Sequence, residues 1–319
     1  MKGKVFKEPI RTIQQFRELQ ALNLYQKIDH AVGTIEKFCN EVSNPVISFS
    51  GGKDSTVLMH LVRNVMKIDI PAVFVNTGNE YPEIIKFATK KYSNTTVLRP
   101  KYHLRQIIEK YGFPLISKEY SKMIYELRMN AKHVSRYLTG IQQDGKKTSF
   151  TLPQKYHFLI NTPFSCSDKC CNFIKKMPTK NLNCITAEMG SESVLREKAW
   201  LRTGCNSFGK RSKSKPLSIW TERDIWEYIH IFNLELCEIY NDNRVMRTGC
   251  MFCGFGATFE NISRFEIIKE RYPKIYNYFL KIENNGISYR EALNTCGVVL
   301  PDNIGYQRNI FQKIIENAK

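Results

Sequence analysis

The sequence predicts an α/β fold, a doubly wound parallel sheet with an N-terminal helical segment before it and a C-terminal helical, cysteine-bearing segment after it. Three observations predict it. Short apolar runs alternate with helical periodicity from residue 45 to 111, which implies parallel strands joined by crossover helices. The first run breaks on Ser50-Gly51-Gly52-Lys53-Asp54-Ser55 before a helical stripe begins. Of the ten cysteines, two form the adjacent pair Cys170-Cys171 and two the turn Cys250-Met251-Phe252-Cys253.

Residues 12–40 carry Ile13, Phe16, Leu19, Leu22, Leu24, Ile28, Ala31 and Ile35 at helical spacing, one or two amphipathic helices. Strands follow at 45–48, 71–76 and 95–99, and helices at 54–66, 82–91 (with Pro82 in its first turn) and 103–111. Residues 119–131 read as a helix, 139–164 as an irregular hairpin or lid turning at Asp144-Gly145, and 183–189 as a strand. Thr221 caps a helix with Glu222 and Asp224 in its first turn and Ile225, Trp226 and Ile229 on its apolar side. Helical spacing returns over 264–282, interrupted at Pro273, and again over 310–315. The organisation expected is 1–40 as helical segment, 41–235 as nucleotide-binding domain and 236–319 as helical segment completing a metal site.

The stretch at 50–55 is the chemical centre. A strand, a glycine turn and a helix N-terminus make an anion site, because free amide hydrogens and the positive helix end point at one place. Gly51 and Gly52 permit close backbone approach, Lys53 supplies a charge, and Ser50, Ser55 and Thr56 supply hydroxyls. The Walker phosphate loop is excluded, since its first glycine position holds Ile47. In a doubly wound sheet this loop lies at the carboxyl ends of the strands, and Thr77-Gly78-Asn79-Glu80 shares that edge, as an adenosine-pocket wall or a plain strand-end turn. A second glycine and hydroxyl turn, Gly190-Ser191-Glu192-Ser193, leads to Arg196 and could hold pyrophosphate, although Glu192 and Arg196 also make an ordinary i,i+4 pair.

The excess of 48 Lys+Arg over 30 Asp+Glu, a net charge of +18, suits polyanionic partners such as nucleotides, DNA or RNA, and equally suits solvated lysine faces. The basic run from Gly209 to Pro216 has the same two readings. Residues 1–11 alternate charge without an apolar core and no run reaches membrane-span length, so neither signal peptide nor membrane anchor is expected; the thiol-rich chain is expected in the reducing cytoplasm.

Cys39, Cys184, Cys237 and Cys296 stand alone and read as small buried hydrophobes. The informative set is Cys166, Cys170, Cys171, Cys205, Cys250 and Cys253. Zinc normally takes two Cys-x-x-Cys knuckles, whereas adjacent cysteines point apart and suit a cluster in which each thiolate takes its own iron. A [4Fe–4S] cluster on Cys170, Cys171, Cys250 and Cys253, a zinc site, and no metal all stay open on spacing alone.

These residues carry a resemblance. Ser50 to Ser55 resembles the pyrophosphatase loop of enzymes that cut ATP between its α and β phosphates. Cys170-Cys171 followed by Cys250-x-x-Cys253 is similar to the cluster motif of assimilatory adenylylsulfate reductases. Phe74 to Gly78, Cys170 to Pro178, and Glu192-Ser193 with Arg196 match the wider phosphoadenosine-phosphosulfate reductase superfamily, and Pro216 to Trp226 is similar to its ATP sulfurylase small subunits. The sequence departs from the reductases in keeping an intact loop with Lys53 and in lacking Glu and His around Cys296. It thus resembles the cluster-bearing branch that inserts sulfur, including enzymes of DNA phosphorothioation and, more distantly, tRNA thiolases.

The resemblance implies a fold of the PP-loop, adenine nucleotide alpha-hydrolase-like class and an ATP-dependent sulfurtransferase. Catalytic roles fall on Lys53, Asp54, Arg196 and Cys205, with Cys166 a second carrier candidate. ATP with Mg²⁺ would contact Ser50, Gly51, Gly52, Lys53, Asp54, Ser55, Thr77, Gly78, Gly190, Glu192 and Ser193. The partners implied are a nucleotide, a DNA or tRNA acceptor, a cysteine desulfurase or other sulfur donor, and a second copy in a homodimer. Two alternatives stand beside it: a sulfonucleotide reductase with Cys296 as nucleophile, and a non-catalytic nucleotide- or nucleic-acid-binding protein with a structural metal site.

Overall fold

The structure, a computed structural model, describes residues 11–209, 211–260 and 262–302; the helix expected over 310–315 lies outside them. The strands in chain order are β1 (Pro45–Ser48), β2 (Ala72–Val75), β3 (Thr95–Leu98), β4 (Leu115–Ile116), β5 (Asn183–Ile185), β6 (Asn206–Ser207), β7 (Lys213–Ser214), β8 (Gly254–Phe255), β9 (Glu283–Asn284) and β10 (Ile287–Ser288). The chain forms two units. The first holds the chain up to Asn76 with Pro82–Leu98 and Thr179–Asn241, and the second holds Thr77–Tyr81, Arg99–Pro178 and the chain from Asp242 on.

The first unit is built on a sheet of order β3-β2-β1-β5-β7-β6, parallel except for β6 against β7. The apolar residues of β1 and its neighbours explain the pairing: Ile47 lies opposite Ala72 and Ile185, and all three are fully buried. Strand order reverses at β1, which puts a crevice at the carboxyl ends of β1 and β5. The N-terminal helices Ile13–Gln20 and Leu24–Glu41 start where Thr12 and Asn23 form capping boxes with Gln15 and Gln26. The helix expected over 54–66 runs as an α-helix over Lys53–His60 and then widens to a π-turn over Leu61–Val65. The expected strand 183–189 leaves the sheet after Ile185.

The second unit joins distant segments. Two-residue strands β4 and β8 pair in parallel, Leu115 with Gly254, and Phe113 bridges Cys166. A Cβ on Gly254 would stand 2.4 Å from the Pro114 carbonyl oxygen, so only glycine permits that pairing. The core is aromatic: Phe113 stacks on Tyr289 at 5.1 Å and Phe252 on Phe279 at 3.8 Å. The segment read as a hairpin or lid carries a bridge from Ile141 to Lys147 and a 3₁₀ helix over Gln154–Ile160. Arg128 Nη1 donates to the carbonyls of Ile160 at 3.1 Å, Thr162 at 2.8 Å and Phe164 at 3.1 Å, which ties its end down. Helices Arg264–Arg271 and Pro273–Leu280 meet at Pro273 as expected. No helix among the described residues is long and apolar enough to cross a membrane.

Candidate functional site

In the first unit the loop after β1 is tied by its own hydroxyls. Ser55 Oγ donates to the Gly52 carbonyl at 2.9 Å and accepts the Ser50 amide at 3.2 Å, and Thr56 Oγ1 donates to the same carbonyl at 3.1 Å. Ser55 and Thr56 are buried, so these hydroxyls shape the loop, while Ser50 remains exposed. Gly51 has φ +74°, and a Cβ there would stand 3.0 Å from Ile84 Cγ2. Gly52 sits at the N-cap of Lys53–His60 and, lacking a side chain, makes no capping hydrogen bond of its own.

Lys53 is only 4% exposed. Its Nζ lies 3.1 Å from Asp54 Oδ1 and 3.4 Å from Glu222 Oε1. Burial works against its charge, but Asp54 first and then Glu222 outweigh it, so its pKa is raised and the ammonium persists. The Lys53 amide donates to the Tyr240 hydroxyl at 3.0 Å.

The second glycine turn lies in the same unit. A Cβ on Gly190 would meet Phe16 Cζ at 2.6 Å and the Ser218 carbonyl oxygen at 2.9 Å, so that glycine serves packing. Ser193 caps Val194–Thr203, accepting the Arg196 amide at 3.4 Å, and Arg196 pairs with Glu192. Glu188 is held below the usual carboxylate range: burial alone would raise it, but Lys213, Arg196 and Lys215 prevail. Cys205 Sγ lies 3.1 Å from Ser218 Oγ, and the Lys215 amide donates to the Cys205 carbonyl at 2.8 Å. A cavity of about 760 Å³ has Cys205, Arg11, Trp200, Gly204 and Phe208 among its walls.

Thr77 and Gly78 fall in the second unit. The Thr77 amide and hydroxyl donate to the Glu80 carboxylate at 2.9 and 2.7 Å, and the Asn79 carbonyl accepts the Met251 amide at 2.7 Å. That bond sets the turn against the loop between Cys250 and Cys253. Cys170 precedes a π-turn over Cys171–Lys176.

The four thiols act on one another. Cys171 is lowered to about 6, chiefly by a hydrogen bond from Cys170 and then, against burial, by Lys118 and Lys175. Cys170 is pushed well up by that same bond, by burial, and by Cys253 and Cys250. Burial raises Cys250 against Lys175, and burial with Cys250 pushes Cys253 up to about 12. Lys175 is raised by Cys250 first, then by Glu80 and Cys171.

Of the four thiols only Cys171 is held toward the thiolate, by Cys170 and the lysines, while Cys170, Cys250 and Cys253 are held toward the neutral form, each influenced by its neighbours in the set. The Asn79 side chain, 1% exposed, has both polar atoms buried and unpaired, as beside a group still to be bound. Among the described residues, no group of three or more His, Cys, Asp or Glu is arranged to hold a metal ion.

Cys166 is fully buried and its thiol is pushed up to about 12 by burial, with Arg128 opposing. Cys296 is likewise raised well above the usual range, by burial and then by Cys166. Neither environment favours a thiolate. Tyr240 is not singled out by the sequence; Glu222 reads only as a first-turn acid of its helix, Glu80 only as part of the Thr77–Glu80 turn, and Lys175 only within the stretch from Cys170 to Pro178. Lys175 leaves a trace as a lysine one turn beyond the cysteine pair.

A family model described as the phosphoadenosine phosphosulfate reductase domain matches residues 44–255. Sulfate adenylyltransferase subunit 2 of Aliivibrio fischeri (strain MJ11) is 27% identical over 229 residues, covering 68% of this chain and 67% of that protein. An uncharacterized protein of Methanocaldococcus jannaschii is 24% identical over 239 residues, 74% of this chain and 46% of that protein. The crystal structure of phosphoadenylyl-sulfate reductase from Candida auris aligns over 75% of this chain and 95% of its own, with 12% identity and a TM-score of 0.39.

Proposed function

The chain belongs to the phosphoadenosine phosphosulfate reductase domain family, and from that premise we propose that it is an ATP-dependent sulfur-transfer enzyme that splits ATP at the α-phosphate. One observation carries the reading: an intact Ser50–Ser55 loop with a charged, buried Lys53 at the strand-order reversal of the sheet.

The ATP phosphates lie over Gly51, Gly52 and the start of the Lys53 helix, where amides and helix dipole favour anions. An acceptor oxygen attacks the α-phosphorus in line, forming the adenylate and releasing pyrophosphate. Lys53 neutralises charge on the leaving group. Asp54 and Glu222, the carboxylates on Lys53, are the groups able to bring Mg²⁺ to the phosphates, and that ion supplies further charge neutralisation. Arg196, held by Glu192, serves as a second phosphate ligand. The terminal sulfur of a cysteine persulfide, loaded by an external sulfur donor, then attacks the adenylated centre, AMP leaves with the acceptor oxygen, and an added thiol reductant cleaves the resulting disulfide to free the thiolated acceptor and the cysteine. Cys205, on its cavity wall with Arg11, is the carrier we assign.

Cys170, Cys171, Cys250 and Cys253 would hold a [4Fe–4S] cluster, each thiolate on its own iron, and when bound it supplies a sulfur-handling redox centre. Lys175 and Lys118 stabilise the thiolate form of this set. The +18 charge supports a nucleic-acid acceptor.

ATP–pyrophosphate exchange tests the reading. Exchange is expected in the presence of acceptor and absent in Lys53→Ala; no exchange under any condition would leave a binding module instead. The family favours one rival, a sulfonucleotide reductase using Cys296, and Cys296→Ser with full activity excludes that role.

A further inference from the structure

We infer that Tyr240 is a gate on the loop: its hydroxyl occupies the place of a phosphate oxygen, and nucleotide binding expels it. The inference rests on the nucleotide reading above. The first amides of a helix have no partner inside the helix, which is why they bind phosphate. Here the Lys53 amide, the first in its helix, already donates to the Tyr240 hydroxyl at 3.0 Å. The Lys53 ammonium is occupied as well, by Asp54 at 3.1 Å and Glu222 at 3.4 Å. A phosphate needs both donors, and a neutral hydroxyl is a weaker acceptor than a phosphate oxygen, so the anion wins the exchange.

The surroundings suit a side chain that moves. Tyr240 belongs to the 3₁₀ turn Glu238–Asn241, which is anchored by the fully buried Ile239 and by the Tyr240 amide donating to the Cys237 carbonyl at 3.0 Å. The backbone is thus held while Tyr240 itself is only half-buried, its ring perpendicular to that of Trp226 with the ring centres 6.4 Å apart. A rotamer change clears the amide without unfolding the turn. Lys53, Tyr240 and the turn all lie in the first unit, and the chain leaves that unit directly after Asn241. The gate therefore sits at the end of a chain segment that continues into the cysteine-bearing unit.

The test is Tyr240→Phe, which keeps the ring and removes only the competing oxygen. Titration of the full-length protein with ATP should show binding about two- to tenfold tighter than native, the worth of one net hydrogen bond. Hydrogen exchange over 50–56, without nucleotide, should be faster in the variant. Binding unchanged or weaker in the variant overturns the gate, weaker binding marking Tyr240 as a phosphate ligand that stays in place. Unchanged exchange overturns it too. If neither protein binds ATP, while exchange still quickens in the variant, the nucleotide reading itself has failed and the gate goes with it.

Discussion

The Lys27 ammonium donates to Asp224 Oδ2 at 2.7 Å, and the two side chains are only 3% and 10% exposed. Asp224 also accepts the Thr221 amide at 2.6 Å and its hydroxyl at 2.7 Å, so one carboxylate fastens Leu24–Glu41 to the first turn of Glu222–Ile231. That first turn carries Glu222, which faces Lys53. An N-terminal lysine thus helps hold a carboxylate at the candidate phosphate loop.

Removing Lys27 should be costly, because it strands a buried charge. Lys27→Met is expected to lower unfolding free energy by about 3 kcal/mol, the low end for a broken buried pair since Thr221 still supports Asp224. Lys27→Met with Asp224→Asn should recover part of the loss. Urea unfolding checks both, and a single variant as stable as native would show that the pair contributes nothing.

The two glycines of the candidate site should fail differently. Gly51→Ala forces a side chain into φ +74° in the loop, so ATP binding is expected to fall at least tenfold, for about 1–2 kcal/mol of stability. Gly190→Ala drives a methyl against Phe16 and the Ser218 carbonyl, and should cost about 1–3 kcal/mol as overpacking. Thermal melts beside ATP titrations separate the two.

Much of this was legible in the sequence. The alternation over 45–111 predicted the three strands β1, β2 and β3: β2 is a nearly buried apolar run, while the more exposed edge strand β3 is marked by its β-branched Thr95, Thr96 and Val97. The spacing of Cys170-Cys171 and Cys250-x-x-Cys253 marks these four out from the lone cysteines, and the structure gives them electrostatic influence on one another. What was not legible depends on tertiary partners. Strands β4, β6, β7 and β8 have two residues each, too few for any period, and the basic run from Gly209 to Pro216 hides β7. Thr77 to Glu80 ends a strand and reads as part of its sheet edge, yet it packs with Met251, a partner far along the chain. Lys175 looks like half of a solvated lysine pair until Glu80 and Cys250 are brought to it.

Acid should act through Asp242. Two Arg244 nitrogens approach its carboxylate at 2.9 and 2.8 Å, and these bonds hold it at about 2 against an ordinary 3.8. A depressed folded-state pKa stabilises above the unfolded value, and that contribution is lost as pH falls from about 4 toward about 2. The native protein should lose urea resistance across that window, and Asp242→Asn should show a shallower acid limb. Parallel limbs would show that Arg244 gives Asp242 nothing in the folded state.

The cysteine set makes the most exposed prediction. The four thiols proposed as cluster ligands influence one another's ionisation, and one of them, Cys171, is lowered to about 6, chiefly by Cys170 and then by Lys118 and Lys175. Protein purified without oxygen is expected to be brown, to carry about four irons and four sulfides per chain, and to bleach with dithionite. Cys250→Ser and Cys253→Ser should each lose most of that iron, while Cys39→Ser, outside the set, keeps it. Lys53→Ala should keep the iron and lose pyrophosphate exchange, because the loop and the cysteines belong to different units. A colourless protein with one zinc per chain would overturn the cluster and leave the nucleotide loop standing.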